Sequence, residues 1–365
     1  MKKLLMAVFA LCAVLGLAAC GKTEATEPTD TNTTPVVAEV EYKLGLGIEV
    51  SFEEAVKNGA PQVDATVAAV VTDKDGKIVL CRIDAVQNKA TVTDGVYTIT
   101  NLKTKMEQGD DYGMTSAVTW GDVNGDGKVL EWYDQAKAFE AHVIGMTGAE
   151  VAAMTTETNK IGYQSSTDAD LLAAGCTIQI GDFQAAVAKA CADEQGITFK
   201  STGEFTLGVA ANSFEDKDSK AATETENGLL CMYSDFAASV VENGKIVASL
   251  NDAIQPKITF AYDGTLVENA FTDTKRNLKE AYNMTSAVKW GDVNGDGKVE
   301  EWYIQSLAFS KHVVGMTGAE VAAMTTETNK IGYQSSTDAD LLAAGCTIQI
   351  TDIKAVVAES VTNAR

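Results

Sequence analysis

Histidine is almost missing from this chain. Two among 365 residues rule out a His-rich zinc site within one domain. Basic side chains are also short. Lys+Arg number 29 against 51 Asp+Glu, a formal net charge of −22. A surface that acidic repels phosphate backbones and anionic headgroups, which argues against nucleic-acid binding. No CxxC pair occurs, and no GxSxG, HExxH, P-loop or GxGxxG loop, so no familiar nucleophile, zinc or nucleotide motif is present. What remains is an ordinary globular balance. Hydrophobic residues make up 45 % and charged residues 22 %, which excludes wholesale disorder. The length suits two average domains.

The start of the chain reads as an address. Met1-Lys2-Lys3 is basic, and Leu4 to Ala19 is apolar but short for a membrane span. Leu17-Ala18-Ala19-Cys20-Gly21 resembles a bacterial lipobox, which implies a signal peptide over 1–19 and a lipidated Cys20 at the mature N-terminus. No later stretch is apolar enough to cross a bilayer, so the expected state is exported and tethered to the membrane by N-terminal lipid. Residues 20–40 are rich in Thr, Glu and Pro and read as a flexible spacer. With Cys12 and Cys20 set aside, Cys81, Cys176, Cys191, Cys231 and Cys346 remain. That odd number leaves at least one thiol free and suggests buried small apolar residues rather than a disulfide framework.

The rest is a duplication. Met114–Ile180 recurs at Met284–Ile350 with few substitutions, and fainter echoes link Tyr42–Gly45 to Phe205–Gly208 and Asp84–Gln87 to Asp252–Gln255. Two tandem homologous domains are expected, 41–195 and 196–365, the second diverged in its N-terminal half. Each begins as a β-meander. In the first, strands are expected over Thr66–Asp73, Lys77–Asp84 and Ala90–Thr100, with a hairpin at Asp75-Gly76. Trp132, Ala136, Phe139 and Val143 at helical spacing mark a helix over Glu131–Val143. Thr147 and Glu150 form a capping box for a short helix. Thr177–Ile180 reads as a late strand, followed by a helix over Phe183–Ala192 capped by Asp182. Strands first and helices later make the class α+β.

Three features bear on chemistry. Asp122, Asn124 and Asp126 followed by Gly127, repeated as Asp292, Asn294, Asp296 and Gly297, begin an EF-hand-type calcium loop. The carbonyls of Lys128 and Lys298 would supply position seven. Tyr133 and Tyr303 occupy position twelve, where an acid belongs, so Glu131 or Asp134, and Glu300 or Glu301, would have to substitute. The bland alternative is an Asx-rich turn without metal. Asp64 and Thr66 precede the first hairpin and by composition are a strand entry. Asp168–Thr177, repeated at Asp338–Thr347, places an Asp several residues before a small-small-Thr tract. That faintly resembles a flavin-transferase acceptor, although it departs in spacing and a loop feeding the next strand is the favoured reading. Trp120, Trp132, Tyr112 and Tyr133, with their counterparts Trp290, Trp302, Tyr282 and Tyr303, could stack on a flat ring but are more often core. His142 and His312 read as helix-surface or packing residues.

Taken together, Gln62–Val70, Asp73–Gln87, Leu102–Lys105 with Tyr112-Gly113-Met114, Glu131–Gln135 and Asp168–Ile180 resemble the PplA-type lipoproteins of Gram-positive bacteria. The resemblance implies paired domains carrying FMN covalently on threonine, attached by a secreted flavin transferase. It also implies electron relay from a membrane NADH dehydrogenase to extracellular acceptors. Carried over by position, Thr66 is the first expected attachment site, with Asp64 assisting, and Thr177 and Thr347 the second. Asp235 stands about where Thr66 would be in the second repeat, and the calcium-like loop is an insertion relative to the family. Such a protein is an electron carrier rather than a turnover enzyme. A calcium-stabilised binding or adhesion lipoprotein without flavin is the alternative.

Overall fold

The Gln62–Thr72 strand explains the architecture, because nearly all of it is buried. A strand covered on both faces must be apolar on both. Val63, Ala65, Val67, Ala69 and Val71 point one way, while Ala68 and Val70 point the other. The computed structural model describes residues 38–365. The segment 1–19, Cys20 and the spacer as far as residue 37 lie outside the described residues.

The fold is α+β with antiparallel sheets. The first sheet runs Val96–Asn101, Ile78–Thr93, Gln62–Thr72, Val40–Ser51 and Ile197–Ser201 in spatial order. The last of these lies past residue 195 in sequence yet pairs with Val40–Leu44 of the first repeat. The second sheet consists of Lys245–Ile254, Met232–Glu242 and Thr206–Glu215. A small third sheet carries Leu266–Ala270, Lys257–Phe260 and Gly228–Leu230.

The two repeats meet sheet to sheet. Val67, Ala69 and Leu46 share one apolar cluster with Leu207, Phe236, Ala238 and Leu250. The opposite face of each sheet carries helices. Ala68, Val70 and Ile83 pack on Trp132, Phe139, Phe183 and Val187 of helices Trp132–His142 and Gly181–Ala192. Ala210, Ala237 and Ile246 pack likewise on Trp302, Phe309, Ile353 and Val357 of helices Trp302–His312 and Thr351–Thr362. The layers therefore run helix, sheet, sheet, helix, and residues 39–365 form one unit.

Two glycines set the helix-to-sheet distance. A Cβ on Gly45 would lie 1.9 Å from the Ala190 carbonyl oxygen, and one on its counterpart Gly208 would lie 1.8 Å from that of Ser360. Only a hydrogen fits there.

Three expectations need correction. The third strand of the first repeat is not one run over 90–100. Asp94 and Gly95 both take positive φ, 49° and 77°, and turn the chain from Ile78–Thr93 into Val96–Asn101. Thr177–Ile180 is not a strand. The backbone N–H groups of Thr177 and Ile178 donate to the Gln135 side chain, leaving a single bridge between Gln179 and Ser165. The terminal helix begins at Gly181, with Ile180 at the cap position, so Asp182 sits inside the first turn rather than capping it. The capping box does form as read: Thr147 accepts from the Glu150 N–H while Glu150 accepts from that of Thr147.

Candidate functional site

Thr66 and Asp64 lie on the helix-facing side of the central strand. Thr66 pairs with Glu49 and Ala85, and Asp64 with Ser51 and Gln87. Thr66 is buried at 7 % exposure, with ladder partners on both sides. Burial pushes the Asp64 carboxyl above its ordinary value, against hydrogen bonds from Gln62 and Gln87 and the nearby Lys105 charge. The Lys105 ammonium lies 5.0 Å from the Tyr112 ring centre and 5.3 Å from that of Trp132. Those two rings hold a lysine, and Trp132 also packs edge-on against Phe183. Trp120 is exposed.

The strand register shows what replaces Thr66 in the second repeat. Gly45 pairs with Val70 and Gly208 with Ser239, so four residues back stand Thr66 and Asp235. Asp235 and Lys275 are both buried there, and Lys275 donates to the Tyr233 hydroxyl at 2.8 Å. Burial drives the Asp235 carboxyl up and the Lys275 ammonium down. The Tyr233, Tyr282 and Trp302 rings surround that ammonium at 4.5–5.4 Å. No hydroxyl stands at this position in the second repeat.

Thr177 and Thr347 sit in matching frames. Gln135 is fully buried and has both ends engaged. Its amide nitrogen donates to the Leu130 carbonyl at 2.7 Å, and its oxygen accepts from the Thr177 and Ile178 N–H groups at 2.8 and 3.0 Å. Gln305 does the same for Glu300, Thr347 and Ile348. The threonine hydroxyls donate weakly to these oxygens, at 3.4 Å for Thr177 and 3.2 Å for Thr347. Ser165 and Ser335 donate to the threonine carbonyls. Asp168 and Asp338 cap the short helices Ala169–Ala173 and Ala339–Ala343, so their carboxylates serve the backbone. His142 and His312 approach those caps at 3.7 and 3.6 Å. The two glutamines organise this site, yet in the sequence they appear only as the last residues of the Glu131–Gln135 and Glu301–Gln305 runs.

The calcium-like loops lie beside these threonines. In the second repeat, Asn294, Asp296, Lys298, Glu300, Gly345 and Thr347 line one cavity of about 290 Å³. The loop turns close on themselves. One Asp122 carboxylate oxygen accepts from Gly125 and Asp126 and the other from Gly127, while Asp292 accepts from Gly295 and Gly297. The amides of Asn124 and Asn294 donate to the Leu172 and Leu342 carbonyls and to the Asp126 and Asp296 carboxylates, and the Asn294 side-chain oxygen accepts from the Asp296 N–H at 3.4 Å. Glu131 points elsewhere. Its carboxylate accepts from Met114 N–H, Thr115 N–H and the Thr115 hydroxyl at 2.8–3.0 Å. Burial acts to raise its pKa, but those bonds hold it below the ordinary value. Glu301 makes the equivalent bonds to Met284 and Thr285. Among the described residues no group of three or more His, Cys, Asp or Glu is placed to hold a metal. A calcium ion here would rest on two carboxylates, one amide oxygen and the carbonyl of Lys128 or Lys298. No helix among the described residues is long and apolar enough to cross a membrane.

No protein-family model, curated protein or solved structure matches the chain.

Proposed function

We propose that the protein is a lipid-anchored electron carrier at the extracellular face of the cell membrane, bearing FMN as a phosphoester on threonine. The observation that carries this is the second-repeat cavity. It opens beside the Thr347 hydroxyl, which is bonded at 3.2 Å to a neutral amide and belongs to a residue as buried as Thr66, at 7 % exposure, and Gly345 and Lys298 share the lining. About 290 Å³ lies just below the range of ligand pockets, roughly 300–1,000 Å³. It has room for a linking phosphate and adjoining chain rather than a whole flavin. Lys298 is the cation lining it, while Asp296 and Glu300 oppose a phosphate, so the fit is one of space and hydroxyl presentation more than charge.

FMN would supply the reversible electron chemistry. This chain's own residues do the rest. Gln305 orients Thr347, Gly345 keeps the approach clear, and the apolar cluster beneath holds the frame rigid. Tethering through Cys20 would keep the carrier near a membrane NADH dehydrogenase and raise encounter frequency. A flavin transferase would load it. Intact mass after co-expression with that transferase tests the reading. A gain of one FMN less water per site, with visible flavin absorbance, supports it, and an unchanged mass overturns it.

The second reading is a calcium-stabilised surface binding module. It is favoured by the identical Asp292–Asn294–Asp296 turn in both repeats. A ligand that binds only the native state raises the melting midpoint. Calcium should therefore raise it over chelator, and Asp122→Ala with Asp292→Ala should abolish the difference.

A further inference from the structure

A larger cavity, of about 670 Å³, lies between the two repeats, inside the usual range of ligand sites, roughly 300–1,000 Å³. One wall is Val56, the Gly59–Pro61 turn, Thr91 and Val92; the other is the whole run from Asp263 to Asn269. A strand shows only alternate side chains on one face, so an unbroken run marks a strand met edge-on. Leu266–Ala270 is the outer strand of the third sheet, and among the described residues its backbone bonds only to Lys257–Phe260. Across the cavity, Thr91–Thr93 pairs with Val96–Thr98 alone, because the central strand begins at Gln62, opposite Lys89. Two strand edges without a neighbour thus flank the space, and such edges accept an added strand.

The side chains set the sign of the occupant. Asp263 and Glu268 are exposed carboxylates, and among the described residues no Lys, Arg or His shares the lining. The Thr265 N–H bonds one Asp263 oxygen at 2.9 Å, which holds that carboxyl below its ordinary value. The Asn269 side-chain oxygen is enclosed without a hydrogen-bond partner, and an enclosed acceptor calls for a donated N–H. Val56 and Val267, 74 % and 54 % exposed, offer apolar contact. We propose that this cavity binds an extended, lysine- or arginine-bearing peptide segment of a partner protein, which adds as a strand to the Leu266–Ala270 edge. The chain's own spacer carries Glu24, Glu27 and Asp30 against Lys22, and a second copy at a net charge of −22 is repelled, so neither suits the site. The site does not depend on the flavin reading.

Fluorescence anisotropy of a labelled Lys-Val-Lys-Val-Lys-Val peptide, blocked at both ends, tests this on the full chain. The peptide alternates charge and apolar contact at the period of a strand. It should bind saturably, and its Glu-Val counterpart should not. Methylating the backbone nitrogens of the lysines, or those of the valines, removes one edge's donors and keeps every side chain. One of those two peptides should bind about tenfold more weakly. Glu268→Lys should weaken binding about tenfold by like-charge repulsion, with its thermal melt unchanged. Asn269→Leu should also bind more weakly yet melt no lower, since it removes an unpaired acceptor. Absence of saturable binding overturns the proposal. So does binding that both methylated peptides retain in full, which is charge contact without strand pairing, and binding indifferent to Glu268→Lys, which lies elsewhere on the acidic surface. The peptide comparisons need only the wild type, so they decide even if a variant fails to fold.

Discussion

The two repeats solve one packing problem with opposite chemistry. Between the Trp132–His142 helix and its sheet, Glu140 is buried. It accepts from the Ile83 N–H at 2.8 Å and pairs with the Arg365 guanidinium at 2.8 Å and with Arg82 at 3.7 Å. At the same place in the second repeat stand Ser310, Ser306 and Asn251. The Asn251 amide donates to the Ser310 hydroxyl at 2.9 Å, and the Ser306 hydroxyl donates to the Asn251 side-chain oxygen at 2.8 Å. The first half thus buries an ion cluster that reaches the far end of the chain, and the second buries a neutral local network. Removing one partner of a buried ion pair leaves an uncompensated charge, whereas removing one hydroxyl leaves a smaller desolvation debt.

Breaking that comparison should give the largest effect. Glu140→Ala is expected to lower stability by about 3–5 kcal/mol in urea unfolding, and Ser310→Ala by about 1 kcal/mol. Equal losses would show that the ion cluster adds nothing beyond its hydrogen bonds. Next come the close approaches. Gly45→Ala and Gly208→Ala should each cost about 1–3 kcal/mol, and by similar amounts, because each puts a methyl onto a helix carbonyl. A neutral result at either would mean that the helix can shift in that half.

A subtler contrast concerns two equivalent buried carboxyls. Asp84 accepts from the Ala85 and Met106 N–H groups, and burial raises its pKa to about 7. Asp252 accepts from Ala253 and Arg276, and burial raises it to about 6, the Arg276 charge pulling back. An acid whose folded pKa is raised binds more protons when folded. Its contribution is therefore greatest at low pH and declines as pH rises from the ordinary value near 3.8 towards the folded value. Asp84→Asn should flatten the stability profile up to about pH 7, and Asp252→Asn only up to about pH 6. Urea midpoints measured across pH 4–8 check this; identical profiles for the two variants would remove the role given to Arg276.

Much of the fold was legible because its signals are local. The Trp132–Phe139–Val143 stripe marked its helix, the Thr147 and Glu150 box formed, and Asp75-Gly76 sits in a hairpin turn with Gly76 at φ 73°. The late strand was misread for a reason of the same kind. Thr-Ile-Gln-Ile has strand composition, but its N–H groups go to a glutamine 42 and 43 residues away. The Thr66 position was read correctly against Asp235, since repeats in register carry their alignment with them. The cavity at Thr347 was not legible, because its lining comes from two segments far apart along the chain, Asn294–Ile304 and Ala343–Thr347.

The sequence by itself determined the duplication, the acidic surface, the order of strands before helices and the local turns and caps. These depend on composition and on spacings of a few residues. Only the tertiary structure decided that the two repeats face each other sheet to sheet. It also decided that Arg276 pairs with Asp193 across 83 residues of chain and Arg365 with Glu140 across 225. Such partners are chosen by which buried charge lies within reach once the apolar faces have closed, and no periodicity along the chain encodes that.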